Sequence, residues 1–489
     1  MPSPSRRHMI QLLGGLAVGA ALPAVARAET LPDWSSDVGI LRRAWETMHP
    51  GLYRYSTPEQ ITARLDGLAA AWTAPASFRD RFLALTRVTA SIRCGHTYPN
   101  PYNGGETVVS RLYPDRSLVP FRFVWIDGRM VVTHDECAQA TFPRGTTVTA
   151  IDGVATPEIL SRLIPLARAD GASDAKRTSL MEIRGDDRFE TFDIHLPLVL
   201  PLRDSALFTL ADGRAVRAPL LSRAERRPAA VDGSPGNDAN PWALDRGPDG
   251  IARLTMPGWA LYDSAFPWET WLGGAMDDLA GDGARGLIVD LRGNEGGLDC
   301  GNVILSRLID RDLTLSRSRR FVRYRRAPED LHPYLDTWDR SFLDWDDQAM
   351  PDPMRPGFYR LTRYDDDGET MRIQPTGRRF TRPVVVLCDA ANSSATFAFA
   401  QAVKDNGLAT LVGTTTGGNR RGINGGAFCF LRLPASGLEV DLPLIATFPD
   451  TPQPDSAIDP DVLVPNSADD IASGRDVQMM SATDLILAA

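Results

Sequence analysis

The chain has 489 residues, 53 basic against 62 acidic, and is 43% hydrophobic and 24% charged. That balance excludes a disordered chain, and ordinary glycine and proline counts (41 and 37) exclude collagen-like or low-complexity architectures. A net charge of −9 argues against a duplex nucleic-acid binder, which needs a basic face.

The N-terminus carries Arg6 and Arg7, then a weakly apolar stretch over 9–26 interrupted by Gly14, Gly15 and Gly19, then Ala26-Arg27-Ala28 as a small-x-small cleavage site. Residues 1–28 read as a signal peptide, and Ser5-Arg6-Arg7 before a mild apolar stretch is twin-arginine-like. The expectation is a periplasmic or secreted protein with no stable membrane insertion after cleavage.

Residues 29–112 read as an N-terminal helical domain, a small bundle. Val38, Leu41, Trp45 and Met48 recur at helical spacing. Thr57-Pro58-Glu59-Gln60 supplies an N-cap, a first-turn proline and a capping-box glutamine, and Ile61, Leu65, Leu68 and Trp72 follow as a stripe. Ser77 opens a third helix with Phe78, Phe82, Leu85 and Ile92 on one face. Gly95 is expected as its C-cap, leaving His96 on a short exposed connection.

Residues 113–220 alternate as strands: 121–133, 146–154 and 189–200, with a helix over 157–167. Residues 221–250 read as a linker. From 251 to 489 strand and helix alternate, which predicts an α/β core: strands 251–256, 286–291, 383–388 and 409–413, helices 267–280, 300–310 and 395–406, and an insertion over 315–380. The five cysteines, Cys94, Cys137, Cys300, Cys388 and Cys429, have no CxxC spacing and read as small buried hydrophobes, with room for one bridge at most.

Two segments carry chemistry. The first is a buried strand ending in Asp290-Leu291-Arg292-Gly293-Asn294-Glu295-Gly296-Gly297, whose glycines bare backbone N–H groups near a helix start. The second is the strand Val384–Cys388 turning through Asp389-Ala390-Ala391-Asn392-Ser393-Ser394 into a helix. Ser394 is either an N-cap or a nucleophile whose following amide, Ala395 N–H, meets an oxyanion.

DLRGNEGG, followed about 100 residues later by NSSATFAFAQAVKDNG and LATLVGTTTGG, resembles the C-terminal processing (tail-specific) peptidase family of serine peptidases. The resemblance covers most of residues 35–478. It implies a multidomain α/β fold: a helical N-terminal part, a PDZ-like β-rich domain and a ClpP/crotonase-like catalytic core. It also implies serine-type hydrolysis of peptide or protein substrates with no cofactor or metal. Ser394 is then the nucleophile, and Gly296 or Gly297 completes the oxyanion hole with Ala395.

The best-known branch of that family places a catalytic lysine where this chain has Asn419, which has no titratable proton. Only two of the basic residues are lysines. Lys404 lies ten residues along the Ser394 helix, about 15 Å away, and Lys176 sits in the β-rich region with no motif around it. Cys94-Gly95-His96-Thr97 instead resembles the GHT element of the tricorn-like, histidine-using branch, which makes His96 the expected base. His49 reads as packing, His134 and His195 as strand residues, and His332 as part of the insertion. The branch expects an acidic partner shortly before Pro460-Asp461, and Asp455 is nearest, with Asp459 next.

Other readings are weaker. No GxSxG surrounds Ser394, Asp299 within G-x-Asp-x-G lacks a sharp elbow, and there is no HExxH or GxxxxGK[ST]. The remaining rival is a catalytically inactive periplasmic binding protein on the same scaffold. The twin-arginine reading has a direct test. Changing Arg6 and Arg7 together to Lys should abolish periplasmic accumulation, because that pathway reads the arginine pair and a general secretory signal needs only positive charge. Unchanged export in cell fractionation would return the segment to an ordinary secretory signal.

Overall fold

The computed structural model describes residues 32–101, 103–185, 190–226, 240–262, 264–315, 318–364 and 372–489. The expected signal peptide lies outside the described residues, as does the middle of the expected linker. Among the described residues no helix is long and apolar enough to cross a membrane.

The α/β core is a six-stranded sheet in the order Val462–Leu463, Thr410–Gly413, Val384–Cys388, Leu287–Asp290, Ala252–Thr255 and Ala243–Arg246. Every pair is parallel except the last. Central parallel strands are covered on both faces, and all five residues of Val384–Cys388 are buried. Strand alternation divides them. Leu287, Val289, Val384 and Val386 face the helices Trp268–Gly281, Gly301–Leu308 and Ala395–Asn406, while Ile288, Val385 and Leu387 face Ala482 and Ile486 of the C-terminal helix. The sequence expectation for these strands and helices holds within two residues at each end. The edge strand Ala243–Arg246 falls inside the expected linker, so part of that stretch belongs to the sheet.

The β-rich domain is an antiparallel sheet of Phe121–Ile126, Arg129–Asp135, Thr147–Ile151, Ser205–Leu210 and Ala215–Pro219 around its own core. Asp127 and Gly128, both at positive φ, close its first hairpin. The expected strand over 189–200 is instead the helix Thr191–Val199. Phe192, His195 and Leu196 are buried at helical spacing, a period masked in the sequence by the continuous apolar run HLPLVL. His195 is therefore a helix residue.

The first three helices form as expected, over Ser35–Met48, Pro58–Thr73 and Phe78–Ser91, and the Thr57–Gln60 capping box is present. A fourth, Gly105–Leu112, was not anticipated. Gly95 is not the C-cap of the third helix. Ile92 is, and Arg93 takes the left-handed conformation that turns the chain.

These helices have no core of their own. Their apolar faces share one with a second six-stranded sheet. That sheet combines a long hairpin, Asn424–Leu433 and Leu438–Pro449, with strands of the insertion, Ser318–Val322, Leu335–Asp336, Ala349–Pro351 and Tyr359–Leu361. Leu41, Trp45, Phe82, Val440 and Leu442 all belong to this core and are essentially unexposed. Asp37, fully buried on the first helix, accepts the Ala435 and Ser436 N–H groups at the hairpin tip (2.9 and 2.8 Å). Asp37→Ala leaves both donors unpaired in the core. It should cost about 2–3 kcal/mol, read as a lower midpoint in denaturant unfolding, with Asp37→Asn losing less.

Candidate active site

Two turns at the carboxyl ends of neighbouring parallel strands meet, residues 291–297 after Leu287–Asp290 and residues 389–394 after Val384–Cys388. Their separation is fixed by buried amides. Asn392 Nδ2 donates to the carbonyls of Leu291 (2.6 Å) and Asn294 (3.0 Å), and its Oδ1 accepts the Asp389 N–H (2.9 Å). Asn294 Nδ2 donates to the Met256 carbonyl (2.8 Å), and its Oδ1 accepts the Gly296 N–H (2.9 Å).

Ser394 sits at the junction of the second turn and the helix Ala395–Asn406, at φ 54 and ψ −123. A non-glycine residue held there stores strain of order 1–3 kcal/mol. Its side chain makes no capping bond, so it is not there as a cap. Ala395 N–H, at the first helical position, has no carbonyl one turn earlier within the helix.

Gly296 faces this elbow at φ 99. A Cβ there would lie 2.7 Å from the Ser393 carbonyl oxygen, 2.9 Å from Ala395 N and 3.0 Å from Ser394 Cβ, so only glycine allows the approach. The Gly296 amide is already committed to Asn294. Gly297 pairs in parallel with Trp259. Trp259 N–H donates to the Gly296 carbonyl (3.3 Å) and Leu298 N–H to the Trp259 carbonyl (2.9 Å), which turns the Gly297 N–H away from Trp259.

His96 is carried in from the N-terminal helices. Its loop is tied down on three sides. Gly95 N–H donates to Asp170 Oδ1 (2.9 Å), Asn424 Nδ2 to Cys94 Sγ (3.3 Å), and the buried His49 Nε2 bonds Thr97 Oγ1 (2.8 Å). Since Gly51 N–H donates to His49 Nδ1 (3.1 Å), the proton of neutral His49 is on Nε2. Burial, and then Arg54, push its titration down to about 3, so it stays neutral. His49 therefore fixes the residue next to His96 as well as packing. His96 Nδ1 is buried without a hydrogen-bond partner among the described residues. Burial dominates its titration and Asp170 opposes it; with Arg168, Glu295 and Lys176 included, the ring stays below the ordinary histidine value.

Lys176 comes to the same place, contrary to the expectation of a residue away from any motif. Its side chain is buried, and Nζ donates to Glu295 Oε1 (2.5 Å) and to the Ala391 carbonyl (3.1 Å). One ammonium thus bridges both turns. Burial acts to raise the Glu295 titration, but Lys176 and Arg168 overcome it and bring the carboxyl down to about 2. Arg184 adds a parallel tie. It pairs with Asp389 Oδ2 (2.9 Å), which also accepts the Gly293 N–H (3.1 Å).

Asp455 does not meet the imidazole. Its Oδ1 accepts Asn419 Nδ2 (2.7 Å) and Ala172 N–H (2.8 Å), and its Oδ2 faces Arg93 (3.4 Å). That carboxylate is spent bracing the loop beside Asn419. The acid group next to His96 is Asp170, through the Gly95 amide. Asp459 accepts the Thr415 hydroxyl (2.7 Å), and Lys404 pairs with Asp461 (2.6 Å) at the far end of its helix. His134 stands in the strand Arg129–Asp135, and His332 Nε2 lies 3.1 Å from the Ala327 carbonyl in the insertion.

Residues 250–427 match the family model described as Peptidase family S41. Over those residues the chain is similar to the S41 serine peptidases. The structure of mature CPAF superposes on this peptidase with a TM-score of 0.62 and 15% identity, covering 93% of this chain and 97% of that one. The structure of mature CPAF complexed with lactacystin gives 0.61 and 15%, covering 93% and 98%. At such identities the likeness establishes the fold. No curated protein matches the peptidase.

Sequence reasoning missed Lys176, Glu295, Asp170 and Arg184 as neighbours of the turns. Glu295 lay inside the quoted motif, yet turn geometry there needs glycines and gives no reason for a charge. For Lys176 the available signal was its rarity among so many arginines.

The Lys176–Glu295 pair gives the peptidase a pH signature. A carboxyl depressed from the usual 4.5 to about 2 stabilises the fold above the former value, and that contribution is lost as pH falls through the latter. Lys176→Met should therefore lower the melting temperature at neutral pH, with a deficit that shrinks between about pH 4.5 and pH 2. It should also cut peptidase activity at least tenfold, while Lys404→Ala leaves activity near wild type. A deficit constant across that pH range would remove the pair from the account.

Proposed function

We propose that this is an exported serine peptidase of the histidine-using, tricorn-like type, with Ser394 as nucleophile and His96 as general base. The observation carrying the reading is the strained Ser394 backbone at a helix start, packed against Gly296 so closely that a methyl group would not fit. Strain of this kind persists only where its surroundings hold it, and it thrusts the hydroxyl out of the turn.

In this mechanism Ser394 Oγ adds to the peptide carbonyl carbon as its proton passes to His96. The tetrahedral oxyanion accepts hydrogen bonds from Ala395 N–H, at the helix start, and from Gly297 N–H on the facing turn. Collapse breaks the C–N bond, and the imidazolium returns its proton to the leaving amine. A water then attacks the acyl ester, His96 takes its proton, and the acid product leaves with Ser394 restored. Asp170 stabilises the transient imidazolium at a distance. Lys176 is a poor base candidate, since its Nζ is already committed to the Glu295 carboxylate and the Ala391 carbonyl. Asn419 has no proton to exchange at neutral pH. Export follows from the N-terminal segment read above.

Ser394→Ala should abolish both peptide hydrolysis and labelling by a fluorophosphonate, whereas Ser393→Ala should retain both. An inactive binding protein would not label at all. Because the imidazole is shifted down, the acid limb of kcat/KM should have its midpoint below 6.5, and His96→Ala should remove the limb together with the activity. A limb at or above the ordinary histidine value, or a fully active His96→Ala variant, would remove His96 from the mechanism.

A further inference from the structure

A row of aromatic rings leads away from His96 along the outer face of the strand Asn424–Leu433. The imidazole lies over Gly425, where a Cβ would be 3.7 Å from its Cε1, and its ring is 5.6 Å from that of Phe428. Phe428 is 5.9 Å from Trp338, and Trp338 is 5.9 Å from Phe430. Phe428 and Phe430 are two residues apart on one strand and share its outer face, half-buried, while Ala427, Cys429 and Leu431 point into the core.

Trp338 is 57% exposed, far more than a tryptophan held for packing needs. It is nevertheless fixed, since its edge meets Phe342 (5.6 Å), which is itself buried and stacked on Trp345. Charge along this ledge is spent locally. Arg432, the next outward residue on the strand, pairs with Asp336 (2.8 Å). The surface is thus rigid, aromatic, neutral, and continuous with the proposed base.

Spacing decides what it fits. An extended peptide advances about 3.3 Å per residue, so side chains on one face recur roughly every 6.6 Å. The ring steps of 5.6 and 5.9 Å come within about 1 Å of that repeat. We propose that this ledge is a substrate subsite: it receives large apolar or aromatic side chains of an extended peptide, one on Phe428 beside the scissile bond and one two residues further out on Trp338. The inference rests on the assignment of His96 above and adds the substrate class, peptides with bulky apolar residues within about three positions of the cut.

The test uses a mixture of randomised dodecapeptides digested by the full chain, with cut sites mapped by mass spectrometry. Wild type should enrich Phe, Tyr, Trp or Leu at two positions separated by one residue on the same side of the cut. Trp338→Ala should flatten the outer position about tenfold while keeping the inner preference and the melting temperature, and Trp338→Phe should restore it. A second arm measures binding by anisotropy in the Ser394→Ala background, with fluorescein-labelled peptides carrying Phe or Ala at the outer position. There the Phe peptide should bind about tenfold tighter, and Trp338→Ala should erase the difference. An outer preference that survives Trp338→Ala, or an equal loss for Phe and Ala peptides, would overturn the ledge. Selective binding without hydrolysis by wild type would uphold the ledge and sink the catalytic assignment instead, so the two failures are distinguishable.

Discussion

Everything at this site depends on two buried side-chain amides. Asn294 and Asn392 are essentially unexposed, and between them they satisfy the carbonyls of Met256, Leu291 and Asn294 and the amides of Asp389 and Gly296. A buried polar group left unpaired costs about 1–3 kcal/mol, so the turns cannot drift apart without leaving several such groups stranded. This penalty is what holds Ser394 in a backbone conformation that it would otherwise leave. Asparagine suits both positions because it donates and accepts from one planar group, whereas aspartate would set oxygen against oxygen.

The β-rich domain is fastened to the catalytic turns by charge as well as by contact. Lys176 and Arg184 both come from its segment 174–184, and each reaches a carboxylate on a different turn. Lys176 also donates to the Ala391 carbonyl, so two of the ammonium's three donors go to the two turns beside Ser394. Pairs with one partner buried gain little net stability against desolvation, but stranding the buried charge is expensive. Their effect here is geometric: movement of the β-rich domain is transmitted to both turns at once.

The parts of the fold that could be read in the sequence are those built from local rules. Alternating strand and helix after residue 251, the capping box at Thr57 and the glycine-rich turn each follow from residues within one or two turns of chain. What could not be read depends on distant chain meeting. The continuous apolar run at 195–200 concealed a helix because both of its faces are covered. Gly95 resembled a helix stop, but Arg93 makes the turn and Gly95 instead approaches Asp170. Asp455 lay at the expected spacing, and only the fold reveals that Asn419, Ala172 and Arg93 already occupy it. Motif resemblance singled out Ser394 and His96; the lysine, glutamate and second aspartate around them had no such signal, because no local pattern requires a charge there.

The core shared by the first helices and the long hairpin sets an order of events during synthesis. The helices between residues 35 and 112 bury their apolar faces against strands that end at Pro449, some 340 residues later in the chain. Until those strands emerge from the ribosome, the helices have nothing to pack on, and His96 lacks Gly425 and Phe428 as its floor and wall. A nascent or truncated chain therefore holds its serine and its histidine apart.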